Sequence, residues 1–491
     1  WARSATQPTI ICTTIDQLGS RLLFRGYGVS SNAAPIQAAL IAYDSLILLD
    51  EAHISRPFLQ TLQNVRRYLD PSKWATENVG ISPFIVVPMT ATPPEGVGDN
   101  DVICLEGKDR VNVSLNNRLT AGKPAKLLSV SDVTQSAIKE AEILASGLPT
   151  SVGIIVNRVA TAKAIYEQLR AMHREAVVEL VIGSMRPFDR DQQAMRLRPL
   201  VGPDRPKITE KTNFIVATQC LEVGADYDFD ALVTECASLD ALRQRFGRLN
   251  RGGREIEAHA VILIDNENVK DASQLDDKKP LDPIYGNSLT RTWHWLNNHA
   301  ERVITEQGSI AAGNRRRRNA TPANIEVRRI DFGIDAFNAV IREHGDDGRI
   351  PTNLLAPSAS LDAPVMLPAY LDVWCQTAPR PTPDPEVSLF IHGPQSGEPD
   401  VQVCWRADLL EDGYMKKEDW CDVVALLPPT AAECMSVPIS RLRRWLTSET
   451  GASDQSDLLG VAEQPTPTGE GKKGGKPNRN CLLYTSPSPR D

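Results

Sequence analysis

The run Asp50-Glu51-Ala52-His53 sets two carboxylates and an imidazole directly after the apolar residues Leu46 to Leu49. A carboxylate at the C-terminal end of a buried parallel strand stands where open α/β sheets bind ligands. There Asp50 is placed to hold a Mg2+ ion through water. Glu51 is placed to orient and polarise a water for attack on a γ-phosphate, and His53 to couple that event to a neighbouring element. The same carboxylates would also serve as solvated caps of the next helix.

Three further runs have the same strand-end placement or a basic face. Met89-Thr90-Ala91-Thr92-Pro93 puts small hydroxyls where they could hydrogen-bond toward the acidic run; it also reads as an ordinary turn before proline. Ala217-Thr218-Gln219-Cys220-Leu221-Glu222-Val223-Gly224-Ala225-Asp226 follows another apolar strand. Gly224 permits close backbone approach and Asp226 could reach a ribose, although a capped loop would look the same. Gln244-Arg245-Phe246-Gly247-Arg248-Leu249-Asn250-Arg251 places Arg248 and Arg251 three apart, on one face if the helix persists. Guanidiniums stabilise charge on a transferring phosphoryl, and basic residues also suit a solvated helix end.

The elements that must carry these runs alternate in type. Ser45–Leu49 and Pro83–Met89 read as buried strands, Pro8–Thr14 as a short strand, and Ala33–Tyr43 and Phe58–Tyr68 as helices. The pattern recurs as strands Val152–Val156, Val178–Ile182, Phe214–Ala217, Ala231–Thr234 and His259–Ile264, with helices Thr161–Arg174 and Leu239–Gly247. Buried strands alternating with helices predict parallel sheets in an α/β fold. A helix is expected near Arg291–Glu306 and a strand at Val401–Trp405. The expected domains are 1–120 and 125–268, a linker over 269–290, an accessory α+β region over 291–463, and a disordered stretch over 464–480.

Composition narrows the classes. At roughly 150 residues per domain, 491 residues suggest about three domains. No stretch approaches the roughly 20 apolar residues of a membrane span, so no membrane partner is expected. A net charge of −8 argues against coating nucleic acid by bulk charge, while leaving room for a local basic groove. Nine cysteines without a Cys-x-x-Cys pair suggest neither a zinc ribbon nor a disulfide framework, and fit reduced thiols in a cytoplasmic protein.

Taken in order, the runs closely resemble the motifs of superfamily 2 helicases over about residues 9 to 265. Motif II falls at Asp50 to His53, motif III at Thr90 to Thr92, motif V at Thr218 to Asp226 and motif VI at Gln244 to Arg251. Ile154-Ile155-Val156-Asn157-Arg158 looks like motif IV, and Thr13-Thr14-Ile15-Asp16-Gln17-Leu18 like a strand-contacting motif. The resemblance implies two RecA-like parallel-sheet domains, the first one incomplete, that clamp ATP and move along single-stranded nucleic acid. It implies roles in hydrolysis for Asp50, Glu51, His53, Gln244, Arg248 and Arg251, with Mg2+ held by Asp50 through water. It further implies nucleotide contacts from Gly224, Asp226, Arg248 and Arg251, strand contacts from Thr14, Gln17, Asn157, Arg158 and Thr218, and coupling through Thr90 and Thr92.

Asp50 to Phe58, Gly183-Ser184-Met185-Arg186-Pro187-Phe188-Asp189-Arg190 and Thr218 to Asp226 are similar to the CRISPR-associated helicase–nuclease family of type I interference. Thr377 to Pro385, His392-Gly393 and Val403 to Asp408 look like its I-G branch, formerly I-U. That resemblance implies recruitment to an R-loop by a crRNA-guided type I interference complex, then ATP-driven 3′ to 5′ movement on single-stranded DNA and degradation of that DNA. A DEAH-type DNA or RNA helicase of another pathway and a non-catalytic remnant are the competing readings.

The sequence departs from these families at several points. The phosphate-binding GxxxxGK[ST] loop is expected upstream of Trp1, and without it residues 1 to 480 are expected to hydrolyse no ATP. The first domain alone is then expected to be the less stable one. A metal nuclease domain is expected beyond the C-terminal end, and no nuclease metal is assigned. His294 and His299 read as structural or solvent-facing rather than as ligands. Arg315 to Arg318 reads as a DNA-phosphate contact or a solvated loop, and Trp374 and Trp405 as base-stacking or core residues. Residues 481 to 491 resemble the translation of a sequencing adapter.

Overall fold

The computed structural model describes residues 7–52, 54–70, 72, 80–90, 103, 105–146, 150–205, 211–222, 224, 226–269, 275–276, 282–306, 324–346, 348–356, 362–394, 400–406, 420–430 and 432–447. The chain divides into two compact units. Among the described residues the first takes 7–103 and 362–400, and the second 105–356 and 401–447.

The first unit opens with α1 (Ile15–Leu22) and α2 (Ala34–Ala42). Thr14 caps α1, its hydroxyl accepting the Gln17 N–H at 3.4 Å. Strand β1 (Leu46–Leu49), helix α3 (Arg56–Leu69) and strand β2 (Ile85–Pro88) follow. β1 and β2 pair in parallel, Leu46 opposite Ile85 and Leu49 opposite Pro88. Ile47 and Leu49 alternate inward to meet Phe58, Leu62 and Val65 of α3 and the adjacent Phe84.

The second unit carries α4 (Val113–Thr120), β3 (Pro124–Val130), α5 (Val133–Leu144), β4 (Ser151–Ile155), α6 (Val159–Met172), β5 (Val177–Val181) and α7 (Pro187–Val201). It continues through β6 (Asn213–Ala217), β7 (Ala231–Glu235), α8 (Leu239–Phe246), β8 (His259–Asp265), α9 (Ser288–His299), β9 (Glu301–Glu306), β10 (Asn324–Asp331) and α10 (Ile334–His344). Its sheet runs β5-β6-β4-β7-β8-β3-β10-β9. The first six strands are parallel, and β10 and β9 add antiparallel. Both faces are covered: Ile155, Ile215 and Ile262 enter one apolar core, while Ile154, Val216 and Leu263 enter the other. Such two-sided burial explains why these strands read as continuous apolar runs.

Helices α11 (Pro368–Trp374) and α12 (Ser388–His392) belong to the first unit, where Trp374, Phe390 and Ile391 join its core. A small sheet of β11 (Asp400–Val403) and β12 (Met435–Pro438) follows, with α13 (Trp420–Leu426) between the two strands and α14 (Ile439–Thr447) after them.

Four expectations are corrected. Pro8–Thr14 is extended but forms no strand; Ile10 is 96% exposed, with no apolar surface to bury it. The helix expected near Arg291–Glu306 ends at His299, and Glu301–Glu306, whose β-branched residue types favour extended backbone, instead pairs with β10. Residues 282–290 are not a linker: Ile284, Tyr285, Asn287 and Ser288 are buried. The 291–463 region is not one accessory body, because its first part extends the large sheet and residues 362–394 complete the first unit's core.

Candidate functional site

In the first unit the acidic run follows β1 directly. Asp50 is exposed at the strand end, and one of its carboxylate oxygens accepts the Glu51 N–H at 3.0 Å. Glu51 is half-buried and sits at φ 47°, in the left-handed region that side chains adopt reluctantly. That turn lets the Ala52 N–H reach the Met89 carbonyl at 3.0 Å, while the Met89 N–H reaches the Leu49 carbonyl at 2.8 Å. Two backbone bonds therefore hold the acidic loop beside the strand end that carries Thr90. His53 and Thr92 lie outside the described residues. Thr14 is exposed at its helix cap, and Gln17 accepts hydrogen bonds from Arg21 one turn later.

In the second unit, three adjacent parallel strands, β6, β4 and β7, end together. Past these ends stand Thr218 and Gln219, Asn157 and Arg158, and Cys236. Thr218 and Asn157 are buried, and Arg158 is half-buried near Asp282 at 3.5 Å. The Gln219 amide donates to the Asn157 carbonyl at 2.7 Å, and the Asn157 amide donates to the Cys236 carbonyl at 2.8 Å.

Arg245 joins these ends. It is fully buried, with Nε donating to Glu222 Oε1 at 2.8 Å. Nη1 donates to Thr234 Oγ1 at 3.0 Å and to the Glu235 carbonyl at 2.9 Å. Nη2 donates to Asn157 Oδ1 at 2.8 Å and to the Tyr285 hydroxyl at 2.9 Å. All five guanidinium N–H groups thus have acceptors. Burial pushes the Glu222 and Glu235 carboxyls upward, and the Arg245 charge opposes that in both. Burial also holds the Tyr285 phenol well above its ordinary range, and the Glu222 charge adds to the effect.

Arg248 and Arg251 do not share a helix face. Helix α8 stops at Phe246 with Gly247 as its cap. The chain then bridges to Phe229, whose N–H reaches the Arg248 carbonyl at 2.8 Å. Buried Arg248 turns its guanidinium onto the Leu221 and Glu222 carbonyls at 2.9 and 2.6 Å. Arg251 is exposed and pairs with Asp226 at 2.7 Å. These two residues, with Arg118, Pro203, Asp228 and Gly252, line a cleft of about 160 Å3. Gly224 is exposed at φ 78°, with open space where a Cβ would stand, so its backbone conformation is what requires glycine. Gln244 is half-buried on α8.

Arg245, Glu222, Gln219 and Tyr285 were not assigned roles from sequence. Arg245 had a signal: it lies three residues after Leu242 and one before Phe246, on the apolar side of its helix. Tyr285 had none, standing in a polar stretch. Arg315 to Arg318, Asp408 and residues 464–491 lie outside the described residues. Trp374 is a core residue, whereas Trp405 is 47% exposed. His299 Nδ1 lies 2.7 Å from the Trp295 carbonyl. Among the described residues no three His, Cys, Asp or Glu gather as a metal site, and no helix is long and apolar enough to cross a membrane.

The parallel sheet is of the kind that the resemblance to superfamily 2 helicases implies. Residues 149–254 match the family model of the CRISPR-associated nuclease/helicase Cas3, C-terminal. The CRISPR-associated helicase Cas3 of Thermoproteus tenax is 31% identical over 260 residues, 51% of this chain and 40% of that protein. The CRISPR-associated endonuclease/helicase Cas3 of Escherichia coli K12 is 30% identical over 136 residues, 26% of this chain and 15% of that protein. Among solved structures, T. fusca Cas3 with AMPPNP aligns at a TM-score of 0.47 and 15% identity, over 88% of this chain and 51% of that one. The chain thus spans less than half the length of these curated relatives. The sequence matches support a CRISPR Cas3-like superfamily 2 helicase.

Proposed function

We propose that this chain is part of an ATP-dependent motor that moves on single-stranded DNA in CRISPR interference, serving an associated metal nuclease in a cytoplasm. The observation that carries the reading is the chain of hydrogen bonds that runs from Asn157 through Arg245 and Glu222 to Arg248. In this reading it ties the run after β4, which would contact the DNA strand, to the run at the end of α8, which would contact phosphate.

In this reading Asp50 and Glu51 act in the first unit. The exposed Asp50 carboxylate, at the end of a strand, suits a water-bridged Mg2+ ion, which when bound neutralises phosphate charge. Glu51, held by its unusual turn, orients the attacking water. In the second unit Arg251 is the exposed guanidinium for phosphoryl charge, Asp226 faces the ribose, and Gly224 allows close approach. Arg248 shapes the loop that presents them, and Gln244 lies one turn back on α8. Thr218, Asn157 and Arg158, with Thr14 and Gln17, serve the DNA strand, and Thr90 links the acidic loop to it. His53 and Thr92 complete the set. A crRNA-guided type I complex is the proposed recruiting partner.

The test is binding of a labelled single-stranded oligonucleotide and of Mg-AMPPNP to the chain. Arg251→Ala is expected to weaken AMPPNP by about tenfold or more, the size of one charge-assisted hydrogen bond, with DNA affinity nearly unchanged. An unaltered AMPPNP affinity, or no binding of DNA, overturns the proposal. Equal preference for RNA moves the chain to a helicase of another pathway.

A further inference from the structure

Residues 282–288 bring a tyrosine into the buried network at the ends of β4, β6 and β7. Asp282 builds the turn: its Oδ1 accepts the Ile284 and Tyr285 N–H groups at 2.8 and 2.7 Å, and its Oδ2 stands 3.5 Å from Arg158. The Ser288 hydroxyl donates to the Tyr285 carbonyl at 2.6 Å and fixes the other side. The tyrosine is 1% exposed, so its ring is held.

The phenol uses both of its hydrogen-bonding functions. Its oxygen accepts an N–H of Arg245 at 2.9 Å, and its proton points to Glu222 Oε1 at 3.4 Å. Glu222 is therefore held three ways: its carboxylate by Arg245 and Tyr285, and its backbone carbonyl by Arg248. On the other side Arg245 holds Asn157, which also accepts from Gln219. A shift of the Gln219–Glu222 turn cannot occur without moving both the Asn157 end and the Arg248 end. Every donor of Arg245 is already taken, so no slack remains to absorb such a shift.

We propose that Tyr285 is a positioning residue that couples nucleotide occupancy to the grip on the DNA strand, by clamping Arg245 to Glu222. It touches neither ligand and acts through those two residues. The inference rests on the nucleotide and strand binding proposed above. Coupling here means the factor by which one ligand changes the affinity for the other, equal in both directions.

The experiment measures oligonucleotide affinity of the whole chain by fluorescence anisotropy, with and without saturating Mg-AMPPNP. It compares the native chain, Tyr285→Phe and Thr234→Val. Thr234→Val removes a different acceptor of Arg245 and serves as the control for a general loosening of the core. In the native chain AMPPNP is expected to change DNA affinity by about fivefold or more, the usual range for coupled sites. Tyr285→Phe should bring that factor below about twofold and leave each separate affinity within about threefold, while Thr234→Val keeps the coupling. Should Tyr285→Phe not fold, Glu222→Gln, which keeps an acceptor oxygen but removes the carboxylate charge held by Arg245 and Tyr285, is read in the same way. Coupling retained in the variant, or lost equally in Thr234→Val, overturns the proposal. A native chain that binds both ligands without coupling overturns it too, leaving the binding function standing. A native chain that binds neither ligand removes the proposed function itself, and this inference with it.

Discussion

Lys123 stands just before β3, 4% exposed, with its ammonium donating to the Phe246 carbonyl at 2.8 Å. Burial lowers its pKa to about 8, against the attraction of Asp228 and Asp331. A lysine keeps its proton to about pH 10.4 when unfolded. Between these values the unfolded chain binds more protons than the folded one, so stability rises with pH across that window. Below pH 8 the buried charge is a standing penalty of about 3 kcal/mol. Lys123→Met should therefore be more stable than the native chain at pH 7 and lose part of the native rise between pH 8 and 10. Denaturant titrations at the two pH values decide; an equal rise in both chains removes the argument. Arg245 is the opposite case, since five acceptors offset its burial.

Strand β4 carries a glycine where a parallel strand would ordinarily hold a β-branched residue. A Cβ on Gly153 would lie 2.7 Å from the ring of Phe229, which is fully buried and cannot withdraw. Replacing a glycine by alanine usually gains up to about 1 kcal/mol through the unfolded chain. The overlap costs about 1–3 kcal/mol, so it wins. Gly153→Ala should lower the denaturation midpoint of the second unit, and a raised midpoint would show that the ring can move. The end of α8 is decided by similar local geometry. Gly247 caps the helix, and the bridge to Phe229 takes residues 248–250 out of the helical path. One arginine then becomes internal and the other exposed. Spacing within the motif could not reveal that split, because it assumed a continuous helix.

The two units differ in how much sheet they hold. Among the described residues the first holds a two-stranded sheet, with Leu46, Leu48 and Ile85 each more than half exposed, whereas the large sheet of the second has eight strands and an apolar core on each face. Stability is not uniform in such a chain, and amides open first where few apolar contacts cover them. Amide hydrogens of β1 and β2 should exchange at least about tenfold faster than those of β4, β6 and β7, measured by mass spectrometry on the whole chain. Equal protection would mean that the small sheet is as well supported as the large one.

Local order was largely legible. Thr218 after β6 and Asn157 after β4 stand at the strand ends the sequence indicated, because a strand buried on both faces must be an unbroken apolar run and its polar successor marks its end. Asp50 and Glu51 also follow their strand directly, but β1, expected to be buried, exposes Leu46 and Leu48 on one face. What long-range packing alone settled is who meets whom. Arg245 draws acceptors from residues 157, 222, 234, 235 and 285, and Trp374 fills a core begun more than 300 residues earlier. Periodicity reports which side of an element is apolar, not which distant segment will cover it. That choice is made only when the whole set of faces closes at once, and so Tyr285 and the division of the C-terminal region emerged from the tertiary structure.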